Sequence, residues 1–302
     1  MNRNMRTIVA GLLAAAMTVG LTACGSSSSS SSAAASQPEQ STSASASATG
    51  TSGLEDGVLT VAMECAYAPY NWTQPDDSNG AVPIKDANDY ANGYDVMMAK
   101  MIAEELGVEL EIVRSDWDSL VPAVQSGTVD AVIAGQSMTP ERSEQVDFAG
   151  PYFYATIVCL TKADSPYAQA QRLADLAGAT GTAQIATIWY DTCLPQIEGA
   201  EIKTAAESAP AMLMALETGT VDFVCTDMPT AQGALIAYSD LKILDLPENA
   251  FKVDEGYINI GISVKKGNTE LKDKINSALA GMTADDFNKI MNEATKIQPL
   301  SK

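Results

Sequence analysis

The chain has 302 residues and carries 18 Lys plus Arg against 38 Asp plus Glu, a formal net charge of −20 at pH 7. Such a polyanion repels a phosphate backbone, which excludes nucleic acid as a partner. Histidine is absent altogether, so the commonest general base and the commonest neutral metal ligand are both missing, and no catalytic residue, metal site or cofactor is expected.

At the N-terminus, Arg3 and Arg6 precede an uncharged apolar run from Ile8 to Leu21. At about 14 residues the run has the length of a secretory signal and is short for a permanent span of a roughly 30 Å hydrocarbon core. It ends in Leu21-Thr22-Ala23-Cys24, which resembles the bacterial lipobox, in which cleavage before the cysteine frees a thiol for lipidation. Residues 1–23 are therefore expected to be a lipoprotein signal peptide and Cys24 the lipid attachment point. Residues 24–53 are serine- and alanine-rich with almost no bulky apolar side chain, too little to fold on. They are expected to form a disordered tether with an r.m.s. span of roughly 30 Å.

From Leu54 the pattern becomes globular. Val58 to Ala62 reads as a buried strand, Val96 to Leu106 as an amphipathic helix, and Leu110 to Val113 as a strand; Leu120 to Gln125 reads as a helix stopped by Gly127, and Ala131 to Ala134 as a third strand. The order β, α, β, α, β implies a parallel, helix-covered sheet. A second round follows, with Leu173 to Leu176 before a glycine turn, Gly181-Thr182 leading into a helix around Ile188, a helix from Ala211 to Leu216, and a strand from Val221 to Cys225. The segments Ser126-Gly127-Thr128-Val129-Asp130 and Thr218-Gly219-Thr220-Val221-Asp222 occupy equivalent places in the two rounds. Ile258 to Val264 adds a later strand, and Leu271 to Thr295 a helical C-terminal region. The fold class expected is α/β, with two similar lobes: 54–155 as the first part of lobe one, 156–252 as lobe two, and 253–302 as a segment returning to lobe one.

The block from Trp117 through Asp130, running into Arg142, Val146-Asp147-Phe148 and Gly150-Pro151-Tyr152-Phe153, resembles the family 3 extracellular solute-binding proteins, the amino-acid receptors of ABC importers. Gly93-Tyr94-Asp95, Thr226-Asp227-Met228-Pro229 and Gly261 to Gly267 extend the likeness over essentially the whole chain from Leu54. The resemblance implies a two-lobed periplasmic-binding-protein-like fold of type II with the ligand cleft between the lobes. It also implies binding of a small polar or basic amino acid and delivery to an ABC permease, by a lipid-anchored monomer on the outer face of the cell membrane.

It further implies a set of ligand contacts. Arg142 would clamp the ligand α-carboxylate with parallel N–H donors, the alternative being an ion pair with Glu141 or Asp147. Ala134, Gly135 and Ser137 would present the strand end, and Gly181, Thr182 and Ala183 would open a helix toward the carboxylate. Asp227 would accept from the α-ammonium, the alternative being an N-cap near Pro229. Tyr67 and Tyr94 would form aromatic walls, with Tyr70 and Trp72 as packing residues. Glu64 stands where some relatives carry an aspartate facing the ligand side chain, its orientation left open.

The polar stretch Thr73 to Asn92 is longer than the family pattern and reads as a solvated loop without calcium-loop spacing. The fold also hosts a carboxylate-dependent dehydratase and ligand-sensing modules, so these remain the rival functions. Besides Cys24 there are Cys65, Cys159, Cys193 and Cys225. Either a bridge lies within lobe two with Cys65 reduced, or all four are buried thiols.

Overall fold

A computed structural model describes residues 53–299. The expected signal peptide 1–23, the lipidation candidate Cys24 and the tether as far as Ser52 lie outside the described residues. No helix among the described residues is long and apolar enough to cross a membrane.

The chain opens with strand β1 (Val58–Met63), followed by four short strands, β2 (Ala66–Tyr67), β3 (Asn71–Gln74), β4 (Val82–Pro83) and β5 (Tyr90–Asn92). Helix α1 (Tyr94–Leu106) leads to β6 (Glu109–Arg114), helix α2 (Leu120–Ser126) and β7 (Ala131–Val132). A one-turn helix α3 (Pro140–Ser143) precedes β8 (Val146–Tyr154) and β9 (Ile157–Lys162). Next come β10 (Thr180–Thr182), β11 (Glu201–Ile202), α4 (Ala209–Glu217), β12 (Phe223–Asp227), α5 (Met228–Ala237) and β13 (Leu241–Ile243). The last elements are α6 (Glu255–Ile258), β14 (Asn259–Lys265), α7 (Thr269–Leu279) and α8 (Ala284–Ile297).

Two five-stranded sheets result, in the orders β6-β1-β7-β14-β8 and β11-β10-β12-β9-β13. In each, the first three strands are parallel and the fourth runs against them. Each sheet with its helices forms one lobe. The chain passes from the first sheet to the second between β8 and β9, and returns between β13 and β14. In β1, Leu59, Val61, Ala62 and Met63 are all fully buried, as expected of a parallel strand covered on both faces. Each such side chain contributes about 1.5–3 kcal/mol when large and apolar.

The repeated Gly-Thr-Val-Asp segments have one structural job in both lobes. Gly127 and Gly219 adopt φ of 78° and 73°, ending α2 and α4 in the left-handed conformation that glycine tolerates without a Cβ penalty. Three residues later the aspartate locks the next strand. Asp130 Oδ2 accepts from Thr60 N at 2.8 Å, and Asp222 Oδ2 accepts from both Thr180 N and Thr180 Oγ1 at 2.8 Å.

Three expectations need correction. The strand expected from Val221 starts at Phe223, because the amides of Thr220 and Val221 both donate to Ala215 O and close the turn instead. Gly181-Thr182-Ala183 does not open a helix: Thr180–Thr182 is strand β10, and helical structure begins only at Ile188. Residues 73–92 are not a plain solvated loop but most of a four-stranded antiparallel sheet, β2-β3-β5-β4. Its polar residues bond each other, with Gln74 Nε2 donating to Ser78 O at 2.9 Å and Asn92 Nδ2 to Gln74 Oε1 at 3.3 Å. Ile84, 2 % exposed, anchors it to the lobe-one core.

Replacing Asp222 with Ala strands the Thr180 donors, so a loss of about 1–3 kcal/mol is expected. A urea titration with an unchanged midpoint would refute this account of the repeat.

Candidate functional site

Parallel strands deliver their C-terminal ends, and whatever follows them, to one edge of a sheet. Four segments arrive at the facing edges here: Glu64 to Tyr67 after β1, Gly135 to Arg142 after β7, Gln184 to Trp189 after β10, and Asp227 at the end of β12. They enclose a small cavity, with Tyr67, Trp117, Gly135, Ser137 and Arg142 on the lobe-one side and Gln184, Thr187 and Trp189 opposite.

Arg142 sits in the single turn of α3, whose N-cap Thr139 accepts from Arg142 N at 3.2 Å. Its guanidinium donates to Ser137 O at 2.9 Å and, across the cleft, to Ala186 O at 2.7 Å, and lies 5.3 Å from the centre of the Trp117 ring. Among the described residues no carboxylate forms an ion pair with it. Asp147 pairs instead with Lys266 at 2.9 Å, and Glu141 accepts from Tyr257 Oη at 3.3 Å. Burial pushes the Arg142 pKa down to about 10, against the opposing charges of Asp191 and Glu141.

Asp227 presents the opposite imbalance. It is 1 % exposed, and burial raises its pKa while hydrogen bonds from Tyr67 and Thr230 hold it down. One oxygen caps α5 by accepting from Thr230 N at 2.9 Å, and the other accepts from the Tyr67 hydroxyl of the facing lobe. No cation pairs with it among the described residues.

Glu64 is 7 % exposed and accepts from Gln184 Nε2 at 3.1 and 3.3 Å, again across the cleft. Desolvation raises its pKa to about 7, opposed by the Gln184 bond and reinforced by the charges of Asp116 and Asp95.

A second layer holds this edge in place. Buried Asp95 accepts from Tyr152 Oη at 2.6 Å and from Asn71 Nδ2 at 2.7 Å. Tyr152 Oη in turn accepts from Gly135 N at 2.9 Å, and Asn71 Oδ1 accepts from Cys65 N at 2.7 Å. One carboxylate thus fixes two of the four segments, although burial pushes its own pKa up to about 6. Gly135 has φ +65°, and a Cβ there would lie 2.9 Å from the Tyr67 ring.

The structure therefore brings together Glu64, Tyr67, Gly135, Ser137, Arg142 and Asp227. It places the others elsewhere. Tyr94 is fully buried in the lobe-one core, stacked on Tyr152 at 5.6 Å between ring centres with its hydroxyl donating to Tyr152 O, so its ring walls no cavity. Ala134 and Ala183 have no exposure. Thr182 donates to Thr204 O at 2.9 Å within its own lobe. Gly181 is required by packing, since a Cβ would meet the Phe223 ring at 2.2 Å. Trp117, Gln184, Thr187 and Trp189 line the cavity without having been singled out. Trp117 heads the most family-like block, and the other three follow β10 by the strand-end rule taken one turn further.

Gly135→Ala is expected to combine positive-φ strain of about 1–2 kcal/mol with displacement of Tyr67. Gly57→Ala, at φ +80° with nothing within 4 Å of the added Cβ, should cost the strain alone. Equal losses of stability in the two variants would refute the crowding against Tyr67.

The sequence profile of the bacterial extracellular solute-binding proteins, family 3, matches residues 59–295. The chain is 29 % identical over 274 residues to the arginine-binding extracellular protein ArtP of Bacillus subtilis, covering 90 % of each. It is 26 % identical to the L-cystine-binding protein TcyJ of Escherichia coli K12, over 79 % of this chain and 82 % of that one. Among solved structures, the substrate-binding protein AbpA of Streptococcus pneumoniae, an amino-acid ABC transporter component bound to L-arginine, superposes with a TM-score of 0.67 at 28 % identity. That match covers 80 % of this chain and 95 % of AbpA.

Proposed function

The chain belongs to the family 3 bacterial extracellular solute-binding proteins, and on that premise we propose that it captures a free amino acid between its lobes and delivers it to an ABC permease. The observation that carries this reading is the pair of complementary charges at the cleft that form no ion pair among the described residues: Arg142 with no paired carboxylate and Asp227 with no paired cation. A zwitterion supplies both missing partners in one molecule. Its α-carboxylate takes the guanidinium donors with bidentate geometry, and its α-ammonium takes the Asp227 oxygen now held by Tyr67.

The preferred ligand carries a hydrogen-bond donor or a positive charge at its far end. Gln184 supplies the N–H groups that Glu64 accepts in this structure, and a cationic side chain offers the same donors with a charge. Arginine fits this description, in keeping with the ligands named for ArtP and AbpA. The site binds without transforming its ligand: it has no histidine, and both its cation and its anion are used in recognition. The protein acts outside the cytoplasm, anchored by lipid at Cys24 to the outer face of the membrane, with residues 24–53 as the tether.

Arg142→Ala and Asp227→Ala should each weaken binding by roughly 2–5 kcal/mol, since each leaves one ligand charge desolvated and unpaired. A thermal-shift screen against the common amino acids identifies the ligand, and isothermal titration of both variants then tests the assignment. Wild-type affinity in both would sink it.

Glu64 gives a pH signature. Its folded pKa is raised to about 7, so the stability associated with its neutral form is present at low pH and lost as pH rises through about 7. A cationic ligand favours the ionised form instead. Its affinity should therefore fall as pH drops below about 7, at most about tenfold per pH unit, with proton release on binding at neutral pH. Asp95 and Asp227, both raised, titrate in the same direction, so Glu64→Gln is the control. Titrations showing the same pH slope in Glu64→Gln would assign the effect to those aspartates and remove Glu64 from the ligand's far end.

A further inference from the structure

Lobe two holds three cysteines with no exposure: Cys159 on β9, Cys225 on β12, and Cys193 at the end of the helical turn 189–193. They form no disulfide in this structure. None contributes to the ligand cleft, and no group of three or more Cys, His, Asp or Glu residues among the described residues could hold a metal ion.

The ladder sets two of them face to face. Strands β9 and β12 are antiparallel with Cys159 registered directly on Cys225. Met228 N donates to Thr156 O, which makes Thr156 and Met228 a hydrogen-bonded pair. Hydrogen-bonded and non-hydrogen-bonded pairs alternate along an antiparallel ladder. Three steps further on, Cys159 and Cys225 therefore form a non-hydrogen-bonded pair, the kind whose side chains approach most closely. Their Sγ atoms are 2.9 Å apart, about 0.9 Å outside a disulfide bond length of ~2.05 Å.

We infer that Cys159 and Cys225 are joined by a disulfide in the exported protein, while Cys193 and Cys65 remain thiols. The inference rests on export to an oxidising compartment and is independent of which ligand the cleft takes. Cys65 belongs to lobe one, bonded through its amide to Asn71. Cys193 lies off the ladder and has no registered partner.

The chemistry is thiol–disulfide exchange with an external disulfide, from a thiol oxidoreductase or a small-molecule donor. One thiolate attacks a donor sulfur and forms a mixed disulfide, releasing the other donor sulfur as a thiolate. The second cysteine thiolate then attacks its partner's sulfur and expels the remaining donor sulfur. The two cysteines lose two protons and two electrons, and the donor leaves as two thiols. Burial raises the thiol pKa of Cys225 in the folded lobe, so thiolate is scarce there. The exchange therefore belongs to folding, before β9 and β12 are covered. Once made, the bond staples β12 to β9 two residues before Asp227 and closes a loop between positions 66 apart in sequence.

The test is peptide mapping of the full chain, exported into an oxidising compartment, acid-quenched and alkylated with N-ethylmaleimide in denaturant without reductant. The expected result is a linked peptide pair carrying Cys159 and Cys225, with Cys65 and Cys193 alkylated. A map with all four residues alkylated, or with Cys193 or Cys65 in a bridge, overturns the inference. Cys193→Ala serves as the second arm: its unreduced mass should be two hydrogens below its reduced mass, whereas equal masses would show that Cys193 is needed for the bond. Reduction after unfolding should lower the melting temperature of the refolded protein by at least about 5 °C. An unchanged melting temperature would mean that no stabilising crosslink had been present.

Discussion

The constraint on which the rest of this structure depends is the desolvation of two unlike charges that form no ion pair among the described residues. Arg142 lines the cleft cavity from lobe one, and Asp227 of lobe two reaches it through the hydroxyl of the cavity-lining Tyr67; burial lowers the pKa of the first and raises that of the second. Uncompensated buried charge is costly, on the order of several kcal/mol per ion. On the proposed reading, a closed arrangement would gain most when a molecule bearing both missing charges lies between the lobes. Closure and recognition would then be one event, because a ligand shifts such an equilibrium only by its differential contact with the closed form.

These residues meet that constraint in part by bonding each other. Tyr67 donates to Asp227, Gln184 to Glu64, and Arg142 to Ala186 O, each bond crossing from one lobe to the other. On the proposed reading these groups stand where ligand atoms would go: a phenol in place of an ammonium, an amide in place of a cation, a carbonyl in place of a carboxylate. Because hydrogen bonds to charged groups contribute more than neutral ones, a charged ligand displaces the stand-ins with a gain. An apolar side chain would remove the Gln184 donor from Glu64 and offer nothing in return. Under that proposal, discrimination against such ligands would come from an unmatched Glu64 as much as from attraction to the right one.

Much of the fold was legible in the sequence because it is carried by short-range patterns. Glycines stopped α2 and α4, the aspartates three residues later marked strand entries, and the apolar spacing of α1 placed its buried face. Less legible were β8 and β9. Val146–Tyr154 is interrupted by Gly150-Pro151 and reads as irregular, while Ile157–Lys162 is buried almost throughout and lacks the two-residue alternation of a half-exposed strand. Helix α5 was missed for a related reason. Its apolar residues have no clear face, since Pro229, Thr230, Ala231, Gly233 and Ala234 are all buried. The small sheet formed around residues 73–92 was hidden because amide side chains rather than an apolar stripe hold it together.

The site divides along the same line. Arg142, Ser137 and Asp227 sit in family-like motifs, the first two on the segment after β7 and the third at the end of β12, so the resemblance reaches them. The resemblance drew Tyr94 toward the cavity, yet the helix beginning at Tyr94 turns its ring into the core against Tyr152. Gln184 and Trp189 were missed because their placement depends on the turn at 184–187, where Thr187 Oγ1 donates to Gln184 O at 2.7 Å and Ala186 takes φ +53°. A positive φ at alanine is uncommon, and no local sequence signal announces it. That turn does two things at once: it exposes the Ala186 carbonyl to Arg142 and aims the Gln184 amide at Glu64. Lobe two therefore meets both Arg142 and Glu64 of lobe one from a single four-residue bend, so under the proposed assignment a change in that bend would alter carboxylate-side and far-end recognition together.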